Sequence, residues 1–394
     1  MARSSQVPPA RTVSSTSQPA SRRERSSLPP LRLLPPPDVG GALPFAAARG
    51  AAPGVYFPGK PVLAKGARVG VLCDSLYGDP EVGIDYASGI AAAAELIASL
   101  GFTPVVDEVQ ANVAPYFDRW AGSPQVRAEH FVRLLETHAV DAVFPLFGKG
   151  GDHAVVDAIA ASGYRPRRPV ALIGGFSHQS DWSLFGQSDF GRAFFSHLIS
   201  ATQCAYWKLL PAANIENLHS VLHRAEAVQY TGLFPLNEVC SGVGTLTGTL
   251  AGGNLSAFLR NAHKPWFPNL KGKLVVCEDF DNAPHEVHYR ASQFVRLLAR
   301  AGACAGIVSA MLPIKRPTHA KLDPTRRRAQ ADRDQAELAA IWREATSKSQ
   351  IPVFQHAGIC GHGAMNYPLG FGGQARLTVT LDGEISLYNC IEVV

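Results

Sequence analysis

The sequence contains no uninterrupted apolar run near the roughly 18 residues that a membrane span requires, which excludes a spanning helix and predicts a soluble protein without a membrane partner. It also lacks any Cys-x-x-Cys pair. Its seven cysteines are odd in number and scattered, and several stand in apolar runs such as Leu274-Val275-Val276-Cys277. A disulfide framework or a clustered zinc site is therefore not expected. The cysteines read as small buried hydrophobes kept as thiols in a reducing compartment, the cytoplasm. Charge is sparse, at 18% of residues, and the net +5 is not evenly spread. In the first thirty-two residues Arg3, Arg11, Arg22, Arg23, Arg25 and Arg32 face only Glu24, and the remainder is close to neutral. A nucleic-acid partner has little support from such a balance.

Two phosphate-binding signatures are missing as well. The turn after the first strand reads Cys73-Asp74-Ser75-Leu76-Tyr77-Gly78, not G-x-G-x-x-G. The glycine run Gly148-Lys149-Gly150-Gly151 lacks Walker spacing and a following Ser or Thr. A nucleotide-dependent oxidoreductase is disfavoured, no cofactor or metal is expected, and no internal repeat is present.

What remains is an apolar fraction of 46% in 394 residues, enough for two domains. Residues 1–54 are rich in Ser, Pro, Arg and Ala, have no sustained apolar period and lack the apolar core of a secretory signal. They cannot bury enough surface to offset chain entropy, so a disordered leader is expected. A transit peptide is the competing reading, which the many prolines weaken. Residues 55–212 alternate strand and helix. Strands are expected at 68–72, 103–106, 140–146 and 168–173, with helices at 86–100, 125–137 and 154–161. That alternation predicts a Rossmann-like parallel α/β domain, whose sites lie beyond the carboxyl ends of its strands. After a linker at 213–235, residues 236–394 read as a β-rich domain. It has strands at 273–277 and 306–311 and a hairpin closed by a two-residue turn, Asp382-Gly383.

Chemistry concentrates at three places. Ser177, in Gly174-Gly175-Phe176-Ser177-His178, falls at a tight turn between a buried strand and a helix. Such a turn exposes a hydroxyl beside a helix N-terminus. Gln179 breaks the lipase-type elbow, and a serine at this place can equally be a helix cap. In the second, Gly150-Gly151-Asp152, consecutive glycines can direct backbone N–H groups at an oxyanion, although a plain loop fits equally well. The third comprises Glu278-Asp279 at a strand end and His362 between Gly361 and Gly363. His356, Cys360 and His362 do not have the spacing of a tetrahedral metal site.

In order and context these segments resemble the LD-carboxypeptidases, the serine peptidases that include muramoyl-tetrapeptide carboxypeptidases and microcin-immunity peptidases. The resemblance rests on Gly150-Gly151, Gly175-Phe176-Ser177-His178, Gly252-Gly253-Asn254-Leu255, Glu278-Asp279, Gly361-His362 and Pro368-Leu369-Gly370, and covers about residues 66–394. It implies a Ser–His–Glu triad in a cleft between the two domains. Ser177 would be the nucleophile, His362 the base and later the acid, and Glu278 the group that orients the imidazole. It further implies an oxyanion hole at Gly151 and Asp152, a small peptide or peptide-like substrate, and a homodimer. Lys149, Phe176 and His178 would line the substrate end. His178 stands where the family has Asp, and Lys149 where it has Arg, which bears on specificity. A competing register places Ser180-Asp181 at the nucleophile position; Ser177 is preferred because the strand then runs into the turn without a gap. The implied activity is cleavage of an amide bond beside a terminal carboxylate through an acyl-enzyme. Competing readings are a microcin-immunity-like hydrolase and a catalytically silent binding relative. The basic stretch from Lys315 to Arg328 reads as a solvated loop, and the tryptophans as packing residues.

Overall fold

The computed structural model describes residues 55–58, 61–80, 83–148, 152–174, 180–201, 204–209, 212–279, 284–310, 324–356 and 368–391. The leader expected at 1–54 lies outside them. The described residues belong to one compact unit within 38–394.

In the first part of the chain the strands are β1 (Val55–Pro58), β2 (Arg68–Leu72), β3 (Thr103–Val105), β4 (Ala142–Pro145), β5 (Val170–Gly174) and β6 (Phe195–Ser200). The helices there are α1 (Tyr86–Ser99), α2 (Glu108–Ala111), α3 (Pro124–Glu136), α4 (Asp152–Ser162) and α5 (Ser180–Gly186). Local chemistry sets their limits. The Asp85 side chain accepts the Ser88 N–H at the head of α1, and Gly101, with φ of 84°, turns the chain at its end. Ser123 caps α3, with Pro124 at its first position. Strands β4 and β5 are buried throughout, as expected of strands covered on both faces.

Strands β2 to β6 pair in parallel in the order β3-β2-β4-β5-β6. This is the doubly wound 2-1-3-4-5 arrangement, with its switch point between β2 and β4. The expected α/β architecture is thus present. A two-residue strand from the far end of the chain, Gly370–Phe371, adds antiparallel to β6.

The rest of the chain supplies α6 (Ala212–Arg224), β7 (Ala225–Thr231), β8 (Leu233–Pro235), β9 (Thr245–Asn254), α7 (Leu255–Asn261), β10 (Leu274–Asp279), α8 (Pro284–Ala301), β11 (Ala305–Ala310), α9 (Pro324–Thr346), β12 (Val353–His356), β13 (Gly370–Phe371), β14 (Gln374–Val379) and β15 (Ile385–Cys390). Nine strands form the second sheet, in the order β1-β7-β15-β14-β9-β10-β11-β12-β8. It is β-rich, as expected, but mixed. Strands β9 to β12 run parallel with helical crossovers, while the flanking strands are antiparallel.

Three details differ from the sequence reading. Residues 213–235 carry a helix and two strands. The 382–383 hairpin is closed by three residues, because Thr380 N–H donates to Glu384 O and Gly383 takes φ of 86°; that is the geometry of a bulged three-residue loop. The basic run enters α9 at Pro324, so Arg326 is helical and exposed.

Trp182, Trp266 and Trp342 are fully buried. Cys73, Cys204, Cys240 and Cys277 are buried and in no disulfide, and burial pushes the Cys73 thiol up to about 12. Among the described residues no helix is long and apolar enough to cross a membrane.

Candidate active site

The carboxyl end of β5 leads into the segment that carries Ser177, and α5 begins three residues after it. Ser177 itself, with Lys149, Gly151, Phe176, His178 and His362, lies outside the described residues. The structure describes the elements that flank these segments.

Helix α5 is buried along its whole length. It is fastened to the second sheet by side chains that grip the Gly252-Gly253-Asn254 segment at the end of β9. Ser180 Oγ accepts the Asn254 backbone N–H at 2.6 Å. Gln187 holds Gly252 from both sides: its Nε2 donates to Gly252 O at 3.3 Å, and its Oε1 accepts the Gly252 N–H at 3.1 Å. The glycines are required here. A Cβ on Gly253, whose φ is 153°, would lie 2.8 Å from Ser180 Cβ and Oγ; one on Gly252 would lie 1.7 Å from Val276 O. Asn254 then caps α7, its Oδ1 accepting the Ala257 N–H.

Glu278 enters from β10, in register with Asn254 on β9 and Ser309 on β11. Its side chain is completely buried, and Glu278 Oε2 accepts from Asn254 Nδ2 at 2.8 Å. A short path therefore runs from the Glu278 carboxylate through Asn254 to Ser180. Ser180 and Asp181, the competing nucleophile pair, are both buried. The Ser180 hydroxyl is engaged by Asn254, and the Asp181 carboxylate binds Arg260 Nη2 at 2.8 Å and Asn261 Nδ2.

A further group of buried acids comprises Asp181, expected only as the neighbour of a competing nucleophile, Asp152, expected only for its backbone N–H, and Asp74, to which the sequence reading assigned no role. Asp74 follows β2, Asp152 is the first residue of α4, and Asp181 belongs to α5; all three are completely buried. Trp182 Nε1 donates to Asp74 Oδ2, and Arg127 Nη1 to the Asp74 carbonyl. Arg127 also stacks over Trp120, 5.6 Å from the ring centroid. Burial pushes the Asp74 carboxyl up to about 7, against the Trp182 hydrogen bond and the Arg127 charge. Burial raises Asp181 too, outweighing Arg260 and Asn261. Asp152 is raised well above the ordinary carboxylate range, first by burial and then by the charges of Asp74 and Asp181. The only sequence signal was position: Asp74 and Asp152 both stand just past a strand end.

His356 ends β12, and its Nε2 donates to Thr231 O at 2.8 Å. Burial lowers it to about 4, so it is a neutral structural imidazole at pH 7. Among the described residues no group of His, Cys, Asp and Glu has the arrangement of a metal site.

Residues 247–377, which include the Asn254–Glu278 pair, match the LD-carboxypeptidase C-terminal domain family. Solved structures share the fold over most of the chain. Muramoyltetrapeptide carboxypeptidase from Oxalobacter formigenes is 18% identical over 83% of this chain and 100% of its own, with a TM-score of 0.58. The MccF structure in complex with glutamyl sulfamoyl guanosine is 16% identical over 85% and 99%, with a TM-score of 0.61. An MccF-like protein from Bacillus anthracis is 12% identical over 84% and 99%, with a TM-score of 0.60. At these identities the likeness is one of fold. No curated protein matches the chain by sequence.

Proposed function

Starting from a chain that has the LD-carboxypeptidase fold and, at 247–377, the family's C-terminal domain, we propose that it is a serine hydrolase of LD-carboxypeptidase type, with Ser177, His362 and Glu278 as its triad. The observation that carries this reading is the path Glu278–Asn254–Ser180, which ties a buried carboxylate of the C-terminal domain to the helix starting three residues after Ser177. A completely buried glutamate at a strand end is costly unless its charge is used or compensated. Orienting a histidine is such a use. The engagement of Ser180 by Asn254 leaves Ser177 as the better nucleophile of the two.

In this mechanism Ser177 Oγ attacks the carbonyl of the amide preceding a terminal D-amino acid, while His362 takes the hydroxyl proton. Glu278 holds the imidazole in the productive tautomer and stabilises its cation. The negative oxygen of the tetrahedral intermediate is met by backbone N–H groups at Gly151 and Asp152. His362 then gives its proton to the leaving amine, and the C–N bond breaks to leave an acyl-enzyme. Water, deprotonated by His362, releases the shortened peptide. Lys149, Phe176 and His178 are the proposed substrate contacts, with Lys149 suited to a carboxylate. The assembly proposed with this reading is a homodimer in the cytoplasm; light scattering that returned a single 42.1 kDa chain would remove the dimer.

The test is mass spectrometry of a murein tetrapeptide incubated with wild type and with Ser177→Ala. Loss of the terminal D-Ala with wild type alone supports the reading. An intact tetrapeptide in both would turn attention to the second reading, a microcin-immunity-like hydrolase. That reading is favoured by the fold shared with MccF and by the unusual His178, and an aminoacyl sulfamoyl nucleoside would be its probe. Lack of reaction between Ser177 and any serine-directed reagent would instead favour a silent binding relative.

A further inference from the structure

The chain reverses at residues 116–120 in a hairpin whose sequence is at odds with its backbone. Tyr116 N–H donates to Trp120 O at 2.8 Å, and Tyr116 O accepts the N–H groups of Arg119 at 3.3 Å and Trp120 at 3.0 Å. The two residues in the turn, Phe117 and Asp118, have φ of 50° and 51°. A hairpin turn with two positive φ values is ordinarily given to Asn and Gly, because a larger side chain in this region crowds its own backbone. Phe117 recovers nothing for that strain by burial, since it is 80% exposed at the tip. Neither the turn nor the core explains a large apolar side chain at this place. A role in binding does.

The hairpin is firmly backed. Segment 75–77 pairs with it, the Ala121 N–H donating to Ser75 O at 3.0 Å and the Tyr77 N–H to Arg119 O at 2.7 Å. Trp120, at its base, carries the guanidinium groups of Arg119 and Arg127 at 5.0 and 5.6 Å from the ring centroid. Arg127 is itself buried and donates to the Asp74 carbonyl. Segment 75–77 follows β2, and Ser75 Oγ donates at 2.7 Å to the carbonyl of Phe147, just past β4. The hairpin therefore stands beyond the carboxyl ends of β2 and β4, the strands that flank the switch point. Open α/β sheets hold their ligands in the crevice at that place.

We propose that Tyr116 and Phe117 are the platform of a saccharide-binding site at the rim of this crevice, with Asp118 and Arg119 bonding the sugar hydroxyls. Tyr116 is exposed as well, and the two ring centroids are 4.3 Å apart with their planes inclined at 55°. Rings inclined in this way cannot both lie flat on one planar base, so a nucleobase would use only one of them. A pyranose carries C–H groups on its faces and around its edge, and meets both electron-rich rings at once. The polar flank agrees. Asp118 and Arg119 are adjacent, exposed and opposite in charge. They offer acceptors and donors to a neutral ligand and no net charge to an ionic one. Tyr77, on the paired segment, adds a further exposed ring, stacked on Tyr86 with centroids 4.6 Å apart. The site requires no contact with reacting groups and does not depend on the hydrolase reading.

The experiment titrates wild type, Phe117→Gly and Phe117→Tyr by calorimetry with oligosaccharides of N-acetylglucosamine and of glucose, and with adenosine monophosphate as a planar-ring control. Phe117→Gly should weaken oligosaccharide binding about tenfold, the scale of a lost aromatic contact. The same variant should raise the melting temperature, because glycine takes a positive φ without strain. Phe117→Tyr, which keeps a ring, should retain binding. A purely structural role for Phe117 predicts the opposite pair of results for the glycine variant, unchanged binding and a lowered melting temperature. Oligosaccharide binding that is absent from wild type, or equal in Phe117→Gly, overturns the proposal. Binding of the nucleotide instead of the sugars, lost in Phe117→Gly, overturns the sugar assignment. Self-association of wild type in sedimentation velocity that Phe117→Gly abolishes would give the face to a second copy of the chain, and overturns the site too. Every readout is taken without turnover, so a failure of the hydrolase reading is seen separately.

Discussion

Asn254 joins two distant parts of the chain in one residue: its side-chain amide donates to Glu278 Oε2 at 2.8 Å, and its backbone N–H donates to Ser180 Oγ at 2.6 Å. The Glu278 carboxylate and helix α5 thus share a single support. Its Oδ1 caps α7, so all of its polar groups at this junction are in use.

Replacing Asn254 by Ala removes the cap, worth about 1 kcal/mol, and strips a donor from a buried carboxylate, worth about 1–3 kcal/mol. The expected loss is about 2–4 kcal/mol of stability, with a larger proportional fall in kcat than in KM. Urea unfolding and steady-state kinetics on the same preparation would check both. An unchanged unfolding midpoint would show that the Asn254–Glu278 bond contributes little.

The two glycines before Asn254 should respond unequally to a methyl group. In Gly253→Ala the new Cβ meets a serine side chain at 2.8 Å, which can shift at the expense of the Asn254–Ser180 bond. In Gly252→Ala it meets the Val276 carbonyl at 1.7 Å, in the middle of a parallel strand pair. Gly252→Ala should cost more, above about 4 kcal/mol, and fail to give folded protein. Gly253→Ala should fold with a lowered melting temperature. The reverse order of melting temperatures would contradict the close packing described.

The Asp181–Arg260 pair has a fully buried acid and a partly exposed base. Arg260→Ala strands Asp181, and removing one partner of such a pair costs about 3–5 kcal/mol. Burial already raises the proton affinity of Asp181, and loss of the cation raises it further. The penalty should therefore shrink as pH falls and Asp181 takes up a proton. Chemical denaturation of wild type and variant at neutral and mildly acid pH would reveal this narrowing. A penalty independent of pH would mean that Asp181 is not the group left uncompensated.

Asp74 binds its proton more tightly in the folded chain, at about 7 against an ordinary 3.8. Between those values the folded state carries the extra proton, so the stabilisation is complete below the ordinary carboxylate range and is lost as pH rises to about 7. Asp74→Asn should flatten the slope of unfolding free energy over this interval. Guanidinium titrations at a series of pH values would measure it, and an unaltered slope would assign the dependence to other groups.

Much of the architecture was legible in local pattern. The helix expected at 125–137 is α3 at Pro124–Glu136, because Ser123, Pro124 and the apolar spacing all act within a few residues. The strand expected at 68–72 is β2, for the same reason. The order of small motifs was enough to point to the LD-carboxypeptidases, and the family match at 247–377 agrees. The hairpin at 382–383 was found but its turn was a residue too short, since the choice between two- and three-residue loops depends on how β14 and β15 twist against β9.

The amino-acid sequence by itself determined the elements, their order and the glycines that allow tight turns, all of which depend on neighbours along the chain. Only the tertiary structure decided what those elements present to one another. Asn254 meets Glu278 across 24 residues and Ser180 across 74, and Asp181 meets Arg260 across 79. No spacing rule could have shown that Asp152 is fully buried with no donor among the described residues, because burial and hydrogen-bond partners are set by segments brought together from the whole chain. Electrostatics in a low-dielectric interior follow those partners, and so the protonation states that shape the chemistry are properties of the fold.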